Sequence, residues 1–313
     1  MYLCEQAHRE LEKELYYSRL AGIVSSRFHE RTILVAGVGA GSDMTMKLAR
    51  MGPKRIKVLD RDRVDIRNLC RTSYYSKDLR KSKVEAIAAH IVAANPHVIA
   101  EPHVIDICKV KDDEVKSLCQ DVDLLIAGTD SFKAQARINE WSLAHHIPAV
   151  FIGVHEHARG GVVVWSIPGR TSCYRCVMAS RYVAAASEPT QVELPSARGS
   201  IVDIGFIDAV VLKIAVGILE RKQKSEFGSF FRALGNRNQV VVRTHPDYRW
   251  QDTDLFDLVL DDLPREPKDY KADLKNQAFF AMDTLWLSTD RDRNCPDCCK
   301  ISKRNNRKGV HRA

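Results

Sequence analysis

Two Cys-x-x-Cys pairs, Cys173/Cys176 and Cys295/Cys298, constrain this chain more than any other feature of its sequence. Each pair supplies half of the closed, four-thiolate shell that a structural Zn²⁺ ion prefers. Pro168-Gly169 ahead of the first pair and Pro296 inside the second predict tight turns rather than helices around the sulfurs. One pair alone reads equally well as a redox dithiol or as buried thiols; two pairs in one chain point to a shared metal. Roughly 120 residues lie between them, so a single ion would tie the middle of the chain to residues 295–298.

Of 313 residues, 45% are apolar and 28% charged, which suits a soluble globular chain of one large or two moderate domains. No stretch approaches the ~20 apolar residues of a membrane-spanning helix. Met1-Tyr2-Leu3-Cys4-Glu5-Gln6, running into alternating charges, does not read as a signal peptide. Nine cysteines, four of them in metal-type pairs, fit a reducing cytoplasm better than a disulfide framework. The +8 net charge is local: Lys300, Lys303, Arg304, Arg307, Lys308 and Arg312 supply six of the eight charges within 300–313, with no acid among them. That describes a solvated, disordered basic tail over 301–313 rather than a nucleic-acid surface.

The pattern along the chain is alternating strand and helix. Leu3, Ala7, Leu11, Leu15 and Leu20 recur at helical spacing and predict an amphipathic N-terminal arm over 1–30 whose apolar stripe packs on something. Thr32–Ala36 is a continuous apolar strand of the parallel-sheet type. A helix over about 43–51 stops at Gly52-Pro53. Strands follow at 56–60, 97–105, 122–127 and 149–152, with helices over 77–94 and up to His146 between them. The expectation is an α/β, Rossmann-like, doubly wound and mainly parallel sheet with helices on both faces. Antiparallel pieces at 161–167, 239–243 and 278–287, a long helix over 201–221 and the cysteine knuckle would continue it to about residue 300.

Strand one runs into Gly37-Val38-Gly39-Ala40-Gly41-Ser42, a glycine-rich turn whose backbone amides can approach phosphate oxygens at a helix start. Ala40 and Ser42 depart from an all-glycine loop, and Asp43 would have to cap the helix to keep its charge away from phosphate. Asp60, at the end of strand two, stands where an acid holds a ribose hydroxyl. These features predict an adenosine nucleotide without saying which one. Asp62, Asn68, Arg71, Lys83 and Asp130 follow at strand tips, and cations together with a carboxylate suit a triphosphate carrying Mg²⁺ better than a dinucleotide.

With those residues in place the sequence resembles the ThiF/MoeB family, whose fold ubiquitin-activating enzymes share. The resemblance covers roughly residues 15–300, with an insertion near 236–275. It rests on Asp60-x-Asp62-x-Val64, Asn68-Leu69-x-Arg71, Lys83-Val84-Glu85, Thr129-Asp130, Cys173-Tyr174-Arg175-Cys176 and Cys295-Pro296-x-Cys298. It implies ATP, Mg²⁺ and Zn²⁺ as cofactors, and adenylation of the C-terminal carboxylate of a small ubiquitin-like or sulfur-carrier protein ending in Gly-Gly. By the same resemblance Gly37, Gly39, Ala40, Gly41, Asp60 and Asp62 form the nucleotide bed. Asn68, Arg71 and Lys83 hold phosphates, and Asp130 holds the metal. Tyr17-Ser18-Arg19 matches the family's arginine segment, which implies a homodimer in which Arg19 reaches the partner subunit's phosphates.

Residues 177–220 contain no cysteine, so the expectation is direct handover of the activated carboxylate to an external nucleophile, such as a conjugating enzyme or sulfur donor, without a thioester in that segment. Three alternatives stay open at this stage: adenylation of a peptide or small carboxylic acid, a non-catalytic nucleotide-binding protein, and an NAD-dependent oxidoreductase.

Overall fold

Both faces of the central strand are covered, and the sheet is built around that fact. In the computed structural model, which describes residues 2–187, 198–249 and 281–299, β1 (Thr32–Ala36) is buried at every position. Ile33 and Val35 point into one apolar cluster, and Leu34 and Ala36 into another. The period of two along a strand sends alternate side chains to opposite faces. A strand buried on both sides is therefore apolar throughout.

Helix α1 (Tyr2–Tyr17) precedes β1; α2 (Ser42–Met51), β2 (Arg55–Leu59), α3 (Lys83–Ala94), β3 (Ile99–His103), α4 (Asp112–Cys119), β4 (Leu124–Ala127), α5 (Phe132–His145) and β5 (Ala149–Val154) follow it. Next come β6 (Gly160–Ser166), α6 (Tyr174–Val177), α7 (Ala179–Ser187), α8 (Ile201–Glu220), α9 (Glu226–Ala233), β7 (Gln239–Arg243) and β8 (Asp283–Leu287). The strand order is β3-β2-β1-β4-β5-β6-β7-β8, parallel from β3 to β5 and antiparallel from β5 to β8. Strand order reverses between β1 and β4, the place where open α/β sheets leave a crevice for ligands. Met44 and Leu48 of α2, Val84 and Ile87 of α3, and Val211 and Ile214 of α8 cover one face. Val115 of α4 and Phe132, Ile138 and Trp141 of α5 cover the other. Lys57, buried within β2, reaches past this layer to donate to the Leu118 and Gln120 carbonyls (3.1 and 3.0 Å) at the end of α4, so its charge meets the negative end of that helix.

Several local expectations need correction. Helix α3 begins at Lys83 rather than 77, because the backbone before it is used elsewhere: Val64 exchanges hydrogen bonds with Lys81 and Arg80, and only Ser76–Asp78 form a short 3₁₀ turn. Helix α1 ends at Tyr17, and Leu11 and Leu15 are 53% and 63% exposed, so the described residues leave their stripe uncovered. The first Cys-x-x-Cys pair is partly helical, with Cys173 preceding the single turn α6 and Cys176 inside it. Asp43 does not cap α2: Gly41 occupies that position, and Asp43 pairs with Lys47 at 2.6 Å. Gly52 ends α2 as expected, in the left-handed region at φ +79° with its amide on the Leu48 and Ala49 carbonyls. Of the expected insertion, 239–243 form β7 and 250–275 lie outside the described residues, as do the tail at 301–313 and positions 278–280 of the last expected strand.

Candidate functional site

The glycine turn lies in the crevice between β1 and β4. Gly37 has φ +89°, and a Cβ there would stand 2.8 Å from the Thr129 amide and 2.9 Å from Gly128, so only glycine lets the two strand-end loops meet. Around this contact the predicted residues converge. Asp60 accepts from the Val38 amide (3.0 Å) and the Asp62 amide (2.9 Å), fixing the loop to the tip of β2. Lys83, the first residue of α3 and buried, donates its Nζ to Asp62 at 2.9 Å. A Cβ on Gly39 would lie 3.8 Å from that Nζ, which places the ammonium beside the loop. Tyr74, buried, donates to the Val38 carbonyl at 2.7 Å and so closes the floor of the site.

The departure at Ser42 has a structural reason. Its hydroxyl is fully buried and accepts the Ser73 amide at 3.0 Å, binding the segment after the 3₁₀ turn Ile66–Arg71 to the start of α2. Asn68 and Arg71 belong to that turn, both half-buried. No polar contact of Ala40 accounts for its presence. Asp130, just past β4, is exposed and makes no hydrogen bond or ion pair with the described residues, so its carboxylate is open to a cation.

Arg19 lies elsewhere. Two residues before it, Tyr17 packs on Gly52 and shares hydrogen bonds with Asn95, at the far ends of α2 and α3. Since α2 is about 15 Å long at 1.5 Å per residue, Arg19 is a helix length from its own glycine loop.

The four cysteine sulfurs all lie within 4.8 Å of one another, forming a cluster that could hold a metal ion. Cys173–Cys176, Cys173–Cys295 and Cys176–Cys298 are each 3.7 Å apart. Four sulfurs at tetrahedral Zn–S distances of ~2.3 Å would be ~3.8 Å apart, so the cluster has the size of a closed thiolate shell and is too open for disulfides. Held this close, the thiols share protons: the bond between them raises Cys173 and lowers Cys176 to about 5, and burial lifts Cys298 to about 12. A divalent cation would replace those protons and hold the four sulfurs as thiolates. Cys299 lies beside the cluster and donates to the Arg293 carbonyl at 2.8 Å.

Two connections escaped the sequence. Asn139, fully buried, accepts the Tyr174 amide (3.1 Å) and donates to Asp297 (3.0 Å), fastening α5 to both knuckles, whereas Arg137 pairs with Asp112 and Glu140 at the surface. Tyr174 donates to Gln135 (2.5 Å), and the Gln135 amide donates to the Thr129 and Ile152 carbonyls (2.9 and 2.6 Å). This relay runs from the first knuckle to the residue before Asp130. Tyr174 stood inside a quoted motif, but nothing in the sequence signalled a partner 39 positions away.

The model of the ThiF family matches residues 20–240. The chain is 32% identical over 177 residues to ubiquitin-like modifier-activating enzyme 5 of Caenorhabditis elegans, covering 51% of this chain and 42% of that protein. It is 32% identical over 160 residues to the enzyme of that name from Drosophila willistoni, covering 48% and 39%. The chain thus spans about two-fifths of the length of these curated relatives. Among solved structures, Escherichia coli MccB with SeMet MccA superposes with a TM-score of 0.64 at 15% identity, over 90% of this chain and 74% of that one. PaaA superposes with a TM-score of 0.60 at 18% identity, over 76% and 81%. At these identities the structures show the shared fold alone.

Proposed function

The chain belongs to the ThiF family, and from that premise we propose that it is an ATP-dependent adenylyltransferase acting on the C-terminal carboxylate of a small ubiquitin-like or sulfur-carrier protein. The observation that carries this reading is the convergence of the glycine loop, Asp60, Asp62, Lys83 and the Asp130 loop at the point where strand order reverses. The curated relatives' name, ubiquitin-like modifier-activating enzyme 5, favours a protein carboxylate as substrate.

In this reading a carboxylate oxygen of the carrier attacks the α-phosphorus of ATP. The bond from that phosphorus to the bridging oxygen breaks, and pyrophosphate leaves with its electron pair, so the products are an acyl-adenylate and pyrophosphate. No proton need be moved. The work left to the chain is alignment and neutralisation of charge. The loop amides seat the nucleotide, Asp60 has lone pairs left for a ribose hydroxyl, and Lys83, Asn68 and Arg71 take phosphate oxygens. Asp130 would hold Mg²⁺, which supplies charge neutralisation on the phosphates when bound. Cys173, Cys176, Cys295 and Cys298 would hold Zn²⁺, which supplies only a structural crosslink.

We also propose a homodimer. The exposed Leu11 and Leu15 stripe of α1 gives a second copy an apolar face to cover, and the distance of Arg19 from its own loop favours action across subunits. The test is ATP–pyrophosphate exchange measured with candidate carriers ending in Gly-Gly, with mass spectrometry of the adenylated product. Exchange driven only by short peptides or small acids would replace the substrate class. Absence of exchange with any carboxylate, despite tight ATP binding, would remove the catalytic reading.

A further inference from the structure

The sheet has a second open end. Beside the amino ends of β1, β4 and β5, opposite the glycine loop, residues 27, 31, 122–123, 145–148, 219 and 221–223 line an open cavity of about 750 Å³. Arg27, Arg31, Arg221 and Lys222 line it, and Asp123 is the single acid among them. Asp123 is already engaged, accepting from Arg31 Nη1 at 2.8 Å and from the Thr32 amide at 2.9 Å. Arg31 Nε and Arg221 Nε are both buried and find no acceptor among the described residues.

Buried N–H groups of native proteins almost always have acceptors, and a guanidinium has donors and no acceptor of its own. The two guanidiniums that line this cavity each carry one such unmet, cationic donor. The cationic crowding is felt within the site: burial, then the charges of Arg170 and Arg31, lower the pKa of Arg221. An anion in the cavity offsets this excess of positive charge. The planar fork of arginine matches phosphoryl oxygens in particular, and the volume lies in the range of small-molecule sites. We propose that this cavity is a binding site for a small, multiply charged phosphoryl anion, held by Arg31, Arg221 and Lys222 and separate from the nucleotide crevice.

Its surroundings give such a ligand a structural consequence. Glu220, fully buried next to Arg221, accepts from the amide and hydroxyl of Ser25 at 2.7 and 2.8 Å. Gly22 and Ile23 accept from the amides of Glu226 and Phe227. The segment that follows Arg19 is thus clasped to the end of α8 beside the cavity, and an anion bridging Arg31 to Arg221 braces the same joint. The inference does not depend on the adenylation reading.

The test titrates the full chain with inorganic pyrophosphate by calorimetry at fixed ionic strength. A Lys83→Ala/Asp130→Ala background removes the nucleotide site's share of binding. One equivalent should bind there, and adding Arg221→Gln and Lys222→Gln should weaken it at least ten-fold. Should that variant fail to fold, Arg27→Gln with Lys222→Gln changes only exposed side chains and should still weaken binding several-fold. No binding up to millimolar pyrophosphate in the Lys83→Ala/Asp130→Ala protein overturns the proposal. So does binding that the cavity substitutions leave unchanged.

Discussion

Gln135 carries a prediction that joins the metal cluster to the nucleotide crevice. It is 2% exposed and makes three side-chain hydrogen bonds, accepting from Tyr174 Oη and donating to the Thr129 and Ile152 carbonyls. Gln135→Leu keeps most of the volume and removes every bond. Each buried group left without a partner costs ~1–3 kcal/mol, so the three together should cost ~3–5 kcal/mol, allowing for carbonyls with other donors. With a urea slope of ~3 kcal/mol/M for a chain this size, the unfolding midpoint should fall by ~1–1.7 M. If Gln135 also holds the Asp130 loop in place, exchange measured per folded molecule should fall by ~10- to 100-fold, the usual penalty of an ångström's misplacement at a reacting centre.

Tyr174→Phe is the graded control. It keeps the ring stacked on Phe151, with centroids 4.3 Å apart, and removes one hydroxyl. About 1 kcal/mol of stability should be lost, with a smaller fall in exchange. A stability loss in Gln135→Leu with exchange unchanged would refute the positioning argument. An unchanged midpoint would refute the satisfaction argument beneath it.

Asp130→Ala should abolish ATP–pyrophosphate exchange with the unfolding midpoint unchanged, since its exposed carboxylate makes no hydrogen bond or ion pair with the described residues. Cys298→Ser should reduce bound zinc from about one equivalent per chain to none, by metal analysis, and cost several kcal/mol of folding stability. Mixing Arg19→Ala with Asp130→Ala subunits should restore activity from two inactive parents, because one site of each mixed dimer is then whole; no recovery after proven subunit exchange would place Arg19 outside the partner's site. Asp208, 2% exposed, is raised by burial to about 7, so the folded state holds a proton that the unfolded state loses near 4. Folding stability should therefore fall as pH rises from 4 through 7, and Asp208→Asn should flatten that fall, gaining up to about 4 kcal/mol at pH 8 and little at pH 4, read by urea midpoints across pH.

What the sequence made legible was local. The run Thr32–Ala36 could only be a strand buried on two faces, Gly52-Pro53 could only end a helix, and the cysteine pairs announced their cluster through spacing alone. The start of α3 is not legible in the sequence because residues 79–82 are helix-compatible in composition, yet their backbone is claimed by Val64 from an earlier loop. Ser42 read as a flaw in a glycine motif until the Ser73 amide appeared beside its hydroxyl. Asn139, Gln135 and Tyr174 form contacts 35 to 158 positions apart, which periodicity and local motifs cannot report. The cavity at the amino end is assembled from four separate turns, so its arginines read one by one as ordinary surface charges.

Lys83 shows how the crevice keeps a buried cation ready without a ligand. An ammonium this deep needs a partner, and Asp62 supplies one at 2.9 Å while itself remaining half in water. The pair uses one of the three donors of Lys83, which leaves two that the proposed adenylation would direct to phosphate oxygens. Asp62 is therefore better understood as the residue that makes Lys83 tolerable than as a ribose ligand acting alone. Asp60, with two of its roughly four lone-pair positions taken by the Val38 and Asp62 amides, fixes the loop on which both depend and still has acceptors for a hydroxyl. The two acids that the sequence placed side by side do different physical work. One fixes the backbone of the glycine loop, and the other balances the buried charge of Lys83.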